Sequence, residues 1–403
     1  MPATMAGTRG GPGLRSVDRA VSPWIVRLLQ GAMSADELVR QLYATHRPHV
    51  LSLVTNNVCN LNCRHCYLQV DALPSTLLSE DEWLRTLESV QDLGPELLCF
   101  AGKELFATPT GPRLLTAAAR LRERAEHSFR LGLITNGTLI ARHRERLLDA
   151  DLSYLDISLD GTAEEHDAVR GEGAFDRAWP NVVWAAQSMG DRFFINLTLQ
   201  HRNAAGWVKA LELYRGLGVR NVELGFYIPL PYTTEALSLT GEDITTIFAS
   251  LRRLRELPAG PPIRVLMDLD LTTPAPLARF LESEWFDFDE LVEDTRGEVF
   301  IPHDFGNGVT LEVRLAPYPV GVTRSLRIGA EGEYLAAEET IDTRLYRSRQ
   351  IGSVREAGYD LAALHRQALG SGRVEALVKK FFLSTLPHLV RAATARDRLS
   401  RAA

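Results

Sequence analysis

Three cysteines, Cys59, Cys63 and Cys66, fall within one short stretch of this 403-residue chain, and the fourth and last, Cys99, lies apart from them. Four cysteines in so long a chain are too few for a disulfide scaffold, so the cluster points to metal or redox chemistry. The spacing C-x3-C-x2-C sets three thiolates on one loop. A structural zinc site closes with four ligands, usually in two separated pairs. No second pair follows, so zinc would need His65, squeezed between its neighbours, as a fourth ligand. A cubic four-iron, four-sulfur cluster accounts for the spacing better. Three thiolates hold three irons, and the fourth iron stays open for a group that is not protein.

The elements that position this loop are legible in the pattern around it. Short, apolar, β-rich strand candidates run over Val50 to Thr55, Leu97 to Ala101, Phe129 to Ile134, Tyr154 to Ser158, Phe193 to Leu199 and Val222 to Ile228. Amphipathic stretches of helical length separate them: Ser79 to Leu93, Arg113 to Glu126, Leu139 to Ala150, Phe175 to Met189 and Gly206 to Gly216. Strand and helix in alternation mean a parallel sheet with helical crossovers, either a closed or partly closed α/β barrel or a doubly wound sheet. In each, ligand sites lie at the carboxyl ends of the strands, which is where the cysteines stand. A helix over Glu242 to Glu256 and the Pro-rich Leu257 to Pro262 mark a boundary. Beyond it come a strand at Ile263 to Leu269, an acidic aromatic stretch at Glu282 to Asp294, a β-like region at Thr310 to Tyr334, and helices from Asp360 onward.

Before the first strand, residues 1 to about 15 read as a disordered arm. Two short helices follow over Val21 to Tyr43, the second opened by a capping box at Ser34 to Glu37. With 45% hydrophobic and 24% charged residues and a net charge of -6, the chain has an ordinary globular composition and no basic field suited to nucleic acid. A local excess of base at the C-terminus (Arg373, Lys379, Lys380, Arg391, Arg396, Arg398) reads as a solvated helix face. No apolar run reaches membrane-spanning length and Pro2 to Gly13 lacks the core of a secretory signal. A cytoplasmic location with reduced thiols is therefore expected.

The cysteine spacing after a first strand, followed by a βα repeat, resembles the signature of the radical SAM superfamily, in which the open iron chelates the amino and carboxylate groups of S-adenosylmethionine. Other segments extend the resemblance. Gly102-Lys103-Glu104-Leu105, after the second strand, is similar to the family's Gly-Gly-Glu-Pro loop, departing at Lys103 and Leu105. Thr135-Asn136-Gly137, after the third, matches a Thr-Asn-Gly turn. Ser158-Leu159-Asp160-Gly161, with His166-Asp167 and Arg170-Gly171 after it, resembles the branch that modifies peptides and natural products. The resemblance implies a partial (β/α)6 TIM-type barrel, with residues 1–48 as arm and helical extension, 49–257 as barrel and 258–403 as a smaller α+β capping domain. It implies metal ligation by Cys59, Cys63 and Cys66, and S-adenosylmethionine contacts from Gly102, Lys103, Glu104, Thr135, Asn136, Ser158, Asp160 and Arg170. Glu104 would receive the methionine amino group, Ser158 the ribose or methionine end, and Arg170 the methionine carboxylate. Asn196 on the fifth strand is a further candidate, while Phe226 to Pro229 reads as a packed aromatic stripe, or in a barrel as part of the adenine and substrate wall.

Past Leu326, Arg327 to Glu338 and Ile351 to Glu356 resemble the auxiliary-cluster domain called SPASM, a β-hairpin followed by an Ile-Gly-Asn-Val-Arg type segment. No cysteine occurs there, and Ala336 and Ala337 stand about where a ligand is expected, which implies a scaffold without iron and one cluster for the whole reaction. The implied activity is reductive cleavage of S-adenosylmethionine, with electrons from a flavodoxin or ferredoxin, and hydrogen abstraction from a small natural product or peptide. The outcome would be epimerisation, rearrangement, elimination or bond formation, with peptide cross-linking as an alternative. Cys99, inside the second strand, reads as core filler. A reading of another class is a non-catalytic iron-sulfur or zinc-binding barrel.

Overall fold

The computed structural model describes residues 27, 32–34, 37, 48–66, 68, 77–125, 129–229, 233–269, 274–294, 299–315, 325–336 and 350–370. The expectations for the N-terminal arm, most of the helical prefix, Ala337 and the basic residues beyond Gly370 lie outside these. Within the prefix the capping box is present. Glu37 N–H donates to Ser34 Oγ at 3.2 Å and Ser34 N–H donates to the Glu37 carboxylate at 3.4 Å.

The first half is strand and helix in alternation: β1 (Val50–Leu53), α1 (Glu80–Glu88), α2 (Val90–Leu93), β2 (Leu97–Phe100), α3 (Thr110–Arg124), β3 (Arg130–Thr135), α4 (Arg144–Asp149) and β4 (Tyr154–Ser158). Then come α5 (Ala163–Arg170), α6 (Ala174–Met189), β5 (Phe193–Leu199), α7 (Trp207–Gly216), β6 (Asn221–Phe226), α8 (Gly241–Glu256), β7 (Ile263–Leu269) and α9 (Pro274–Leu281). The remainder is mostly β: β8 (Val292–Glu293), β9 (Val299–Asp304), β10 (Val309–Leu315), β11 (Ser325–Ile328), β12 (Glu333–Ala336) and β13 (Gln350–Ser353), closed by α10 (Leu361–Gly370). Helix α1 starts where a capping box of Ser79 and Glu82 satisfies its first donors. Two expectations change. The helix expected over Leu139 to Ala150 is a 3-10 turn, Ile140–Arg142, and then α4, because the chain breaks at His143. The segment read as a His-Asp and Arg-Gly motif is itself helix α5, capped by Thr162 and Glu165.

Strands β1 to β7 are neighbours in chain order and pair in parallel. Order without a reversal excludes the doubly wound sheet, which needs a switch point. Right-handed crossovers in unbroken succession place the helices on one face and let the other curl inward. The result is a half-barrel. The sheet runs on through the Leu257 to Pro262 segment, since β7 pairs with β6 and β10 pairs in parallel with β7. At the other edge β11 pairs in parallel with β1 and carries the β12 hairpin.

Side chains alternate between two faces. Leu51, Leu98, Leu133, Leu155, Ile195 and Val265 point to the helices and are wholly buried in the apolar core. The alternate positions face the concave side. Pairing puts Ser52, Cys99, Gly132 and Tyr154 in one row and Ser158, Asn196, Glu223, Leu266 and Glu312 in another. Cys99 is buried, as expected of core filler, but on the concave side and outside the apolar cluster between sheet and helices. Phe226 does belong to that core, stacked on Phe248 of α8.

Candidate cofactor site at the strand ends

The cysteine loop leaves β1 pinned to its neighbours. Asn56 Nδ2 donates to the Glu104 carbonyl at 3.2 Å, Asn56 Oδ1 accepts from Val58 N–H at 2.8 Å, and Glu104 N–H donates to the Val58 carbonyl at 3.3 Å. Further on, Arg64 N–H donates to the Val169 carbonyl of α5 at 2.9 Å. Cys63 is buried while Cys59 and Cys66 are partly exposed, and all are free thiols. Burial pushes the Cys63 thiol up to about 11, with Arg170 pulling it down. The Cys59 thiol is also raised by burial, against the Leu61 N–H that donates to its sulfur at 3.5 Å.

The ends of β2 and β3 support this loop from one side. Gly102 has φ +101, and a Cβ there would lie 2.8 Å from Val54 Cγ2 and 3.1 Å from Leu68 Cδ1. Only glycine lets the β2 turn approach the cysteine loop so closely. The Glu104 carboxylate is buried and already occupied: it accepts from Thr135 Oγ1 at 2.8 Å, Asn136 N–H at 3.0 Å and Phe106 N–H at 3.3 Å. Glu104 therefore ties the end of β2 to the turn after β3, a role that its sequence context did not suggest. Asn136 completes the connection, donating from Nδ2 to Asn60 Oδ1 at 3.0 Å and to the Cys59 sulfur at 3.7 Å. Asn60 in turn donates to Thr138 Oγ1 at 2.8 Å. Lys103 is half-buried on the same turn.

From the other side comes the end of β4. Asp160, wholly buried, accepts from Arg170 Nε at 2.6 Å and from Thr198 N–H at 3.0 Å. Although burial works against ionisation, Arg170 and then His65 hold the Asp160 carboxyl well below the usual range. The Asp160 backbone is fixed too. His166 Nδ1 accepts from its N–H at 3.1 Å, and the Tyr214 hydroxyl accepts from the neighbouring Gly161 N–H at 3.1 Å and donates to the Gly161 carbonyl at 2.8 Å. His65 Nε2 stands 3.9 Å from Asp160 Oδ2, and burial lowers its imidazole to about 4, so it is neutral. Arg170, expected to pair with the methionine carboxylate, engages Asp160 through its Nε, and its charge acts on Cys63 and Cys66.

Ser158 and Asn196 stand side by side on the concave face. Ser158 is half-buried and its hydroxyl has no hydrogen-bond partner among the described residues; Asn196 Nδ2 donates to Asp156 Oδ2 at 3.3 Å. Tyr227 is buried, as a packed aromatic stripe requires, and spends its hydroxyl on its own loop, donating to Thr233 Oγ1 at 2.6 Å. Sequence reading missed Asn60, Thr138, Tyr214 and Asp156. Only Asp156 left a signal, as an acidic residue inside an apolar strand.

Do these residues suit an iron-sulfur cluster? Among the described residues no three His, Cys, Asp or Glu side chains converge as a single ion requires. His65, the fourth ligand zinc would need, is turned toward Asp160. Cluster thiolates bind separate irons and need no common centre, and N–H donors of the kind that reach Cys59 are what such sulfurs accept. The donor set fits a three-thiolate cluster.

Residues 53–213 match the family described as the Radical SAM superfamily. The chain is 36% identical over 144 residues to an Fe-coproporphyrin III synthase of Methanosarcina barkeri, covering 34% of this chain and 35% of that one. It is 29% identical over 214 residues to a pre-heme d1 synthase of Dinoroseobacter shibae, covering 49% and 47%. The chain thus matches half or less of the length of these relatives. Among solved structures, anSMEcpe with bound AdoMet superposes with a TM-score of 0.56 over 83% of this chain and 84% of that one, at 15% identity, a likeness of fold.

Proposed function

The chain carries a radical SAM domain over residues 53–213, and on that premise we propose that it is an enzyme that cleaves S-adenosylmethionine reductively and abstracts hydrogen from a small natural product or peptide. The observation that carries this reading is the loop of three free thiols, held between the turn of Glu104 and Asn136 on one side and the Asp160–Arg170 pair on the other. Cys59, Cys63 and Cys66 would hold the cluster. When bound, the cluster and S-adenosylmethionine would supply an electron and a 5'-deoxyadenosyl radical.

The chain's own residues bind, orient and exclude. Asn136 and the Leu61 N–H hold the Cys59 sulfur by hydrogen bonds, which favour the reduced state of a cluster they touch. Arg170, beside Cys63 and Cys66, offsets negative charge on the thiolates. Gly102 and Lys103 on the β2 turn, and Ser158 with Asn196 on the concave face, would receive the methionine and ribose ends; Glu104 and Thr135 would hold that turn in place. The half-barrel walls keep water from the reacting carbon. An electron donor of flavodoxin or ferredoxin type is part of this proposal, as is a C-terminal hairpin that caps the chamber without iron.

Anaerobic reconstitution tests it. The expected result is a charge-transfer absorption with four irons and four sulfides per chain, and release of 5'-deoxyadenosine after reduction. Stoichiometric zinc with neither signal would favour a non-catalytic barrel.

A further inference from the structure

Asp156, on the concave face of β4, is wholly buried, and its Oδ1 has no hydrogen-bond partner among the described residues. Its other oxygen accepts from Asn196 Nδ2 at 3.3 Å and lies 2.8 Å from the Tyr154 hydroxyl. That same hydroxyl lies 3.1 Å from Glu223 Oε2 on β6. One phenolic proton cannot fill both contacts, so a second proton belongs in this chain of oxygens. Two arrangements fill both contacts, with either Asp156 or Glu223 as the acid that donates to Tyr154 and the phenol donating onward to the other; the wholly buried Asp156 with its unpartnered Oδ1 selects Asp156 as the acid, Tyr154 O–H then donating to Glu223. An unpartnered oxygen of a buried carboxylate is costly, whereas the carbonyl oxygen of a neutral acid costs far less.

The surrounding charges agree. Arg314 on β10 is shared between Glu223, at 3.6 Å, and Asp268 on β7, at 2.6 Å. Arg170 on α5 is committed to Asp160. Cys99 on β2 flanks Tyr154, and farther along the face Arg264 pairs with Glu312. Arg130 on β3 and Arg327 on β11 fall on the same face by register. Asp156 forms no ion pair among the described residues, and burial, with Glu223 adding its repulsion, raises its carboxyl well above the usual range against the pull of Arg170. Space for the phenol comes from Gly132, where a Cβ would sit 3.3 Å from both Tyr154 Cδ1 and Cys99 Sγ.

We propose that Asp156, Tyr154 and Glu223 form a one-proton relay on the concave face, with Asp156 as its proton-holding end and the partly exposed Glu223 as the end that exchanges with the substrate chamber. The proton on Asp156 moves to the Tyr154 oxygen as the Tyr154 proton moves to Glu223. Asp156 is left as carboxylate, Glu223 becomes the acid, and no electrons move. The relay suits a polar substrate whose conversion requires gain or loss of a proton, and assigning it to substrate rests on the reading of the concave face as a substrate chamber.

Infrared difference spectroscopy of the full chain tests the relay without substrate. Wild type should show a protonated carboxyl band at pH 7 that titrates away on the alkaline side, is absent in Asp156→Asn, and has a lower midpoint in Glu223→Gln. In deuterium oxide the band should shift about a hundredfold more slowly in Tyr154→Phe, the low end of what a positioned proton-transfer group contributes. Tyr154→Phe keeps the ring that packs 4.8 Å from Phe194, so it serves even if Asp156→Asn fails to fold. No band at pH 7, a band that survives Asp156→Asn, or equal exchange in Tyr154→Phe would overturn the relay. Release of 5'-deoxyadenosine, measured on the same preparations, reads the radical chemistry separately.

Discussion

Cys63 and Cys99 are both buried thiols, and their surroundings assign them different work. Cys63 lies beside Arg170 in a loop anchored on α5, whereas Cys99 faces the concave side next to Tyr154. Cys63→Ala should lose the cluster and Cys99→Ala should keep it, as read by iron and sulfide content after reconstitution. Because burial raises the Cys59 and Cys63 thiols, iron must displace their protons. Reconstitution should therefore go further as the pH rises from 7 toward 9. Asp156 makes a second prediction about pH. Its folded carboxyl is raised above the unfolded value, so the native state holds an extra proton and loses stability as pH climbs through that window. Thermal melts of wild type and Asp156→Asn at pH 6 and pH 9 should show the variant gaining on wild type at the higher pH. Asp156 was half legible in the sequence, an acid within an apolar strand. Its partner Glu223 was not, because only the strand order and register bring β4 and β6 to one wall.

At the scale of elements, the strands were legible because a parallel strand buried by helices is a short apolar run between turns. Tyr154 to Ser158, Phe193 to Leu199 and Ile263 to Leu269 match β4, β5 and β7 residue for residue. Helix α5 was not, because its residues read as a motif and its one turn of apolar contact, at Val169, is too short for a periodic signal. The turn after β2 shows what spacing alone cannot carry. Gly102 and Glu104 were recognisable by position, yet the carboxylate is spent on Thr135 and Asn136 and the glycine makes room for Val54 and Leu68. Gly102→Ala places a Cβ into that contact at a positive φ, and should destabilise the fold by more than about 1 kcal/mol. Urea denaturation reads the loss, and iron content reads whether the cysteine loop moves with it.

For the molecule as a whole, an arginine on α7 ties the Pro-rich segment before β7 and the turn before β10 to the barrel's helical layer. Arg215 of α7 donates to the carbonyls of Pro261 at 2.7 Å, Pro258 at 2.9 Å and Asn307 at 2.5 Å, so the segment that looked like a boundary is clamped onto the barrel. Arg215→Met should cost on the order of 3 kcal/mol, since hydrogen bonds from a charged donor are lost and the Pro258 and Pro261 carbonyls are left to find new partners, while Asn307 keeps the Gly260 N–H. Equilibrium unfolding measures it, and a single transition in wild type would show that β7 and β10 unfold with the preceding strands. Among the described residues no helix is long and apolar enough to cross a membrane. The central claim is that three thiolates leave one iron open to S-adenosylmethionine. Electron paramagnetic resonance of the reduced, reconstituted protein tests it most directly. Addition of S-adenosylmethionine should change the spectrum of the cluster in wild type, and a cluster signal that does not respond, or a protein that takes up zinc in place of iron, would contradict it.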